Sequence, residues 1–133
     1  MSRYIKGDIE KKISGPTTHK DVEFFGVKGE FRQLTFIFHR EDLNKINQCL
    51  EQCYQELGPN KKRWEKFLKD LKESDLPGYN DEIVKEYWKN NFKEEVNSDH
   101  MIRWYNRADI GEKIKNFLKD EPFCEIRVDT NDW

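Results

Sequence analysis

The chain has 133 residues, and we expect residues 1–133 to form a single domain with its own core. Charged residues make up 38% of the sequence, yet the formal net charge is only −2. Both signs are interleaved, which excludes a global basic field for nucleic acid and also an acidic tail. No apolar run approaches the roughly 18 residues of a membrane helix. Three cysteines, an odd count, favour a reducing compartment, so a cytoplasmic protein is predicted.

Strand patterns occupy the first third of the chain and its end. Residues Tyr4 to Glu10 alternate between two faces, and Asp21 to Val27 is predicted as a second, shorter strand. The strongest pattern is Gln33 to His39, where Ile37 indicates that the second face of the sheet is partly covered. Cys124 to Val128 alternates again and predicts a final strand.

Between these strands the apolar period changes from two to 3.6, which predicts helices. Four helices are expected, with start signals at Asp42, Asn60, Asn80 and Ser98. The fourth runs toward Lys119, and Gly111 is expected to bend or split it.

The order of the elements predicts an α+β fold. An isolated strand cannot bury its apolar face, so the last strand has to return to the N-terminal strands. We therefore expect a small sheet of three or four strands with about four helices packed on one side.

Signatures of catalysis and of cofactors are weak. Cys49 and Cys53 lie one helical turn apart, but the histidines are scattered, so core packing explains the pair better than a metal site. Asp8 and Glu10 point the same way on one strand. This pair could bind Mg²⁺, and the alternative is an ordinary solvated strand face. No nucleophile or phosphate loop is recognisable. We expect no catalytic residue, no metal and no cofactor.

Three cations, Lys61, Lys62 and Arg63, occupy the first turn of a predicted helix. Cations at this end oppose the helix dipole, at a cost of about 0.3–1 kcal/mol each when exposed. A helix N-terminus with added cations suits phosphate or a partner's carboxylates. The alternative is a solvated turn whose cost is screened by salt.

A second candidate surface is Arg103 to Arg107. Arg103 and Arg107 lie one turn apart and can fork onto phosphate or carboxylate. The Trp104 and Tyr105 between them belong to the residue types enriched at interfaces. The alternative places both aromatics in the core with the two arginines at their rim. Trp133, the last residue, is a further candidate contact.

The opening segment from Tyr4 to Glu10, with the sequence YIKGDIE, resembles a family of small uncharacterised proteins from bacteria and their phages. Phe25 to Val27 and the cysteine-bearing strand Cys124 to Ile126 are similar to that family as well. Lys11 to Pro16 departs from its pattern. The resemblance implies a mobile-element context, in which small proteins without motifs often inhibit host defence, anti-CRISPR proteins among them.

The leading hypothesis is a non-enzymatic binding protein of this inhibitor type, which docks an aromatic and charged patch on a defence nuclease or another protein or ribonucleoprotein. A first alternative is single-stranded RNA binding, with bases stacked on the sheet and phosphates on the basic turn. A second alternative is a Mg²⁺-dependent nuclease. No membrane partner is expected, and the oligomeric state stays open.

Overall fold

The computed structural model describes residues 3–13, 18–29, 34–76 and 78–128. Over these residues an antiparallel sheet carries a layer of helices on one face, which confirms the α+β prediction. The strands are β1 (Arg3–Gly7), β2 (Lys11–Ile13), β3 (Leu34–His39) and β4 (Phe123–Val128). The helices are α1 (Lys20–Glu23), α2 (Leu43–Leu57), α3 (Asn60–Glu73), α4 (Asp81–Phe92) and α5 (Ser98–Asp120).

The sheet has the strand order β2-β1-β4-β3, so the first and last strands of the chain lie side by side at its centre. Ile5 is opposite Val128 across β1 and β4, and Phe36 is opposite Ile126 across β4 and β3. All four of these side chains are fully buried against the helices. The last strand therefore returns to the N-terminal sheet, as its alternating pattern required.

The N-terminal segment contains two strands instead of the one predicted from Tyr4 to Glu10. Gly7 ends β1 with a φ of +114°, and a Cβ there would lie 2.5 Å from the backbone oxygen of Glu125. Only glycine fits this close approach at low cost. Asp8 then donates its backbone N–H to the Glu125 carbonyl oxygen, and its carboxylate accepts the N–H of Glu125 at 2.7 Å.

The strand predicted from Asp21 to Val27 is wrong, because residues 20–23 form the short helix α1. The Asp21 carboxylate accepts the backbone N–H of Thr18 at 2.7 Å, a capping contact that belongs to the start of a helix. Asp21 and Val22 are both buried, so the segment does not alternate in burial as a strand would. The predicted strand start at Gln33 lies outside the described residues.

The long helix α5 runs from Ser98 to Asp120 without a break, so Gly111 does not split it. A Cβ at Gly111 would lie 2.5 Å from the Phe25 ring and 2.7 Å from a methyl group of Leu50. The glycine therefore serves close packing of α5 against α2 and the segment after α1. Asn97, one residue before the predicted Ser98, caps this helix by accepting the N–H of His100.

Candidate binding surface

The three cations predicted on the first turn of a helix do lie there, in α3, and two of them have partners within the protein. Lys61 pairs with Glu65 at 3.2 Å. Arg63 pairs with Glu94 at 2.5 Å, and its guanidinium lies 4.7 Å from the centre of the Phe92 ring. Lys62 is exposed. Intramolecular contacts thus neutralise most of the positive charge that the sequence predicted would bind an anion.

Arg103 and Arg107 converge on Asp21, an acid that is only 2% exposed. The Nε atom of Arg107 lies 2.5 Å from Asp21 Oδ1, and that of Arg103 lies 3.8 Å from the same oxygen. The Arg107 guanidinium also lies 4.5 Å from the centre of the Phe24 ring and 4.6 Å from that of Trp104. Arg107 therefore holds α1 against α5, while the Arg103 side chain is 44% exposed at the rim of this contact.

Aromatic residues make up 14% of the sequence, and several of them pack together in the core. Trp64 and Phe67 of α3 stack at 5.1 Å between ring centres, and Trp88 of α4 lies 6.3 Å from Trp64. These three rings are at most 3% exposed. The indole N–H of Trp88 donates to the Asn60 side-chain oxygen at 3.0 Å, which satisfies the one polar group of the ring. Trp133, the terminal candidate, lies outside the described residues.

The acids and thiols weighed in the sequence have structural roles. Asp8 caps the backbone of β4, as described above, and within the described residues no group of three His, Cys, Asp or Glu side chains is placed to hold a metal ion. Cys53 and Cys124 are fully buried, and burial raises the pKa of each thiol to about 12. Both thiols therefore stay protonated and unreactive near neutral pH.

On the face of the sheet opposite the helices, several side chains of the described strands are partly exposed to solvent. The side chain of Ile37 is 43% exposed, that of Tyr4 42% and that of Phe123 51%. These three residues alternate in their strands with the buried positions that face the helices. We call the uncovered side the open face, and it carries the side chains of Tyr4, Lys6, Lys12, Thr35, Ile37, His39, Phe123, Glu125 and Arg127.

Two cations are placed directly opposite one another on the two central strands of the open face. Lys6 of β1 is the cross-strand partner of Arg127 of β4, and both are exposed. Over the part of the chain that the structure describes, neither forms an ion pair. Like charges in this position destabilise a sheet by roughly 0.2–1 kcal/mol. Lys12 on β2, opposite Tyr4, lies at the edge of this face, where it also lines a cavity with Asp81 of α4 and Asp99 of α5.

Sequence reasoning placed stacked bases on the sheet but missed this pair of cations, because its members come from opposite ends of the chain. The available signal was the charged residue at every second position: Lys6 alternates with Ile5 and Gly7, and Arg127 alternates with Ile126 and Val128. The pairing of β1 with β4 is what turns two ordinary exposed cations into one patch.

Comparison of the chain with protein-family models, curated proteins and solved structures finds no match. The arrangement of side chains is therefore the basis for any functional proposal. No described helix is both long enough and apolar enough to cross a bilayer.

Proposed function

We propose that this protein is a binding protein whose contact surface is the open face of the sheet, and that its partner presents negative charge there. The observation that carries the proposal is the Lys6–Arg127 pair, in which two exposed cations face each other without a described counter-ion. An anionic partner relieves the repulsion between them, so binding recovers the free energy that this repulsion costs the unbound protein.

The open face is preferred to the helical cations because of their surroundings. Arg63 and Arg107 each have a carboxylate at 2.5 Å and lie over an aromatic ring. A partner at either position has to replace contacts that the folded protein already makes. Tyr4 and Phe123 add exposed rings to the open face, and aromatic side chains are enriched at binding surfaces.

The test is affinity capture from the lysate of the native host, with and without RNase treatment, using three forms of the protein. Lys6→Glu/Arg127→Glu reverses the charge of the open face, and Lys61→Glu/Lys62→Glu makes the same change in net charge on α3. We expect the first variant to lose the partner and the second to keep it. Loss from the second variant alone would move the contact surface to the helices and refute the proposal.

A narrower proposal is that the partner belongs to a bacterial defence nuclease, in the manner of an anti-CRISPR inhibitor. Its support is the resemblance of the opening segment Tyr4 to Glu10, which contains both Tyr4 and Lys6 of the open face. Expressing the protein in a host with an active defence nuclease should restore plaque formation by a targeted phage. The Lys6→Glu/Arg127→Glu variant should not restore it, and protection by neither form would refute this narrower proposal.

A further inference from the structure

We infer that the open face binds a single strand of RNA directly, and this inference rests on the proposed function. The partner is identified from the chemistry of the open face. The face displays cations without an ion pair among the described residues, exposed rings and one carboxylate that can accept a hydrogen bond. The helical basic turn, where the sequence placed the phosphate contacts of an RNA, belongs to the other layer of the molecule.

The cations supply phosphate contacts. Lys12, Lys6 and Arg127 lie on three adjacent strands, β2, β1 and β4, so they cover a width of about 10 Å at roughly 4.8 Å per strand. All three are exposed, and none forms an ion pair with a described residue. This width suits a phosphate chain, whose charges are held by several cations at once.

The aromatic side chains lie at the two ends of the face. Tyr4 lies beside Lys6 and Arg127, whereas Phe123 lies four residues further along β4 from Arg127. The distance from Tyr4 to Phe123 along the strand direction is about 20 Å, at roughly 3.3 Å per residue. A long, narrow platform with a ring at each end fits an extended strand with unstacked bases, since any base can stack on an aromatic ring.

Duplex nucleic acid fits this surface poorly. The bases of a duplex stack on each other and offer only their edges in the grooves, so exposed rings on a sheet gain nothing from them. The net charge of −2 also argues against a partner that is held by charge alone. On the open face, Lys6 and Arg127 lie at the end that carries Tyr4, and cations beside an exposed ring are the combination that single strands require.

Glu125 favours RNA over DNA. It lies on β4 between Phe123 and Arg127, with Ile37 as its cross-strand partner. A carboxylate repels phosphate, but it accepts a hydrogen bond from a ribose 2′-hydroxyl, the group that distinguishes RNA from DNA. Glu125 is partly buried beside the cations that would contact phosphate. It can therefore accept a hydrogen bond from RNA that DNA cannot donate.

The test is fluorescence anisotropy with a labelled oligouridine of about ten nucleotides, within the range that one such site covers. Three phosphate contacts predict a slope of about −2 for the logarithm of the association constant against the logarithm of salt concentration. Lys6→Glu/Arg127→Glu should weaken binding at least tenfold and reduce the slope to about −0.7. Lys72→Glu/Lys89→Glu, an equal change in charge on exposed helical lysines, should leave the slope unchanged.

The rings have a control of their own. Phe123→Ala should weaken binding by about tenfold, because loss of one stacked base has an effect of this order. Leu76→Ala removes a side chain of similar exposure, 52%, from a loop after α3 and should leave the affinity unchanged. Equal affinity for the oligouridine and for an oligothymidine of the same length would overturn the assignment to RNA.

Two results would overturn the inference as a whole: no binding of the oligouridine at low salt, or equal loss in the open-face and helical double variants. If the oligouridine does not bind but Lys6→Glu/Arg127→Glu still loses an RNase-resistant partner in the capture experiment, the RNA inference fails and the proposed function stands. If the open-face variant keeps every partner, both fail. The facing charges of the double variant are again alike, but Glu125 on the same face adds to their repulsion, so its Tm is measured together with its binding.

Discussion

Arg107→Ala should destabilise this protein severely, and more than Arg103→Ala does. Arg107 is the nearer counter-ion of Asp21, at 2.5 Å, and Asp21 is 2% exposed. Removing one partner of a buried ion pair costs up to about 3–5 kcal/mol, and Arg103, at 3.8 Å from Asp21, offsets only part of this cost. Lost contact with the Phe24 and Trp104 rings adds about 0.5–1 kcal/mol each.

The Arg103 side chain gives the matched control. It is 44% exposed and lies 3.8 Å from the same oxygen, so its ion pair is worth about 0–1 kcal/mol. The total stability of a protein is only about 5–15 kcal/mol. Arg107→Ala should therefore lower the Tm by about 10–20 °C, which is more than Arg103→Ala lowers it.

Urea denaturation followed by tryptophan fluorescence measures both changes. Adding Asp21→Asn to Arg107→Ala should recover more than half of the lost free energy, because the uncompensated charge is then removed. A stability of Arg107→Ala within about 1 kcal/mol of the wild type would refute this reasoning, since it would mean that Arg103 or water compensates the Asp21 charge in full.

Three further results are expected. Gly111→Ala should destabilise by about 1–3 kcal/mol in urea melts despite the better helix propensity of alanine, because its Cβ meets the neighbouring side chains, and a stabilised variant would contradict this packing. Lys6→Glu alone should raise the free energy of unfolding by about 0.5–2 kcal/mol by facing Arg127 with an opposite charge, and no gain in urea melts would contradict the register. Cys53 and Cys124 should resist Ellman's reagent at pH 8 in the folded protein, since their pKa values are about 12. Rapid labelling of either thiol would contradict this burial. Because folding raises the pKa of each thiol, each should also lower the free energy of unfolding above pH 9, by up to about 1.4 kcal/mol per pH unit until the folded pKa is reached.

The helices were predictable because their signals are local. Apolar residues at steps of three and four define one face each of α2 and α3, and the cap at Asn80 is confirmed by its hydrogen bond with the N–H of Ile83 at 2.9 Å. These contacts join residues within a few positions of one another, so one sequence contains all the information that they need.

The short helix α1 was not predictable from its own residues. Asp21 has two kinds of partner: the N–H of Thr18, which is local, and the guanidinium of Arg107, which comes from α5. The second contact lets a carboxylate be buried at this position, and no pattern in residues 21–27 indicates it. Tertiary contacts override local propensity in short segments of this kind.

The same limit applies to binding residues. The sequence shows Arg63 as a cation on a helix, but it does not show that Glu94 lies beside it. It shows Lys6 and Arg127 as separate charges on two strands, but it does not show that these strands pair. Whether a cation has a counter-ion depends on the residues that folding brings beside it. The composition of single segments therefore overestimated the binding capacity of the helical cations and overlooked the Lys6–Arg127 pair of the open face.

The most direct test of the open face as the contact surface is a titration of the isotope-labelled protein with oligouridine, followed by amide chemical shifts. We predict that the largest shifts fall on Tyr4, Lys6, Phe123, Glu125 and Arg127, and that the first turn of α3 and residues 103–107 shift little. Shifts concentrated on α3 and α5 would contradict the open face as the contact surface, and no shifts at high oligonucleotide concentration would contradict RNA as its ligand.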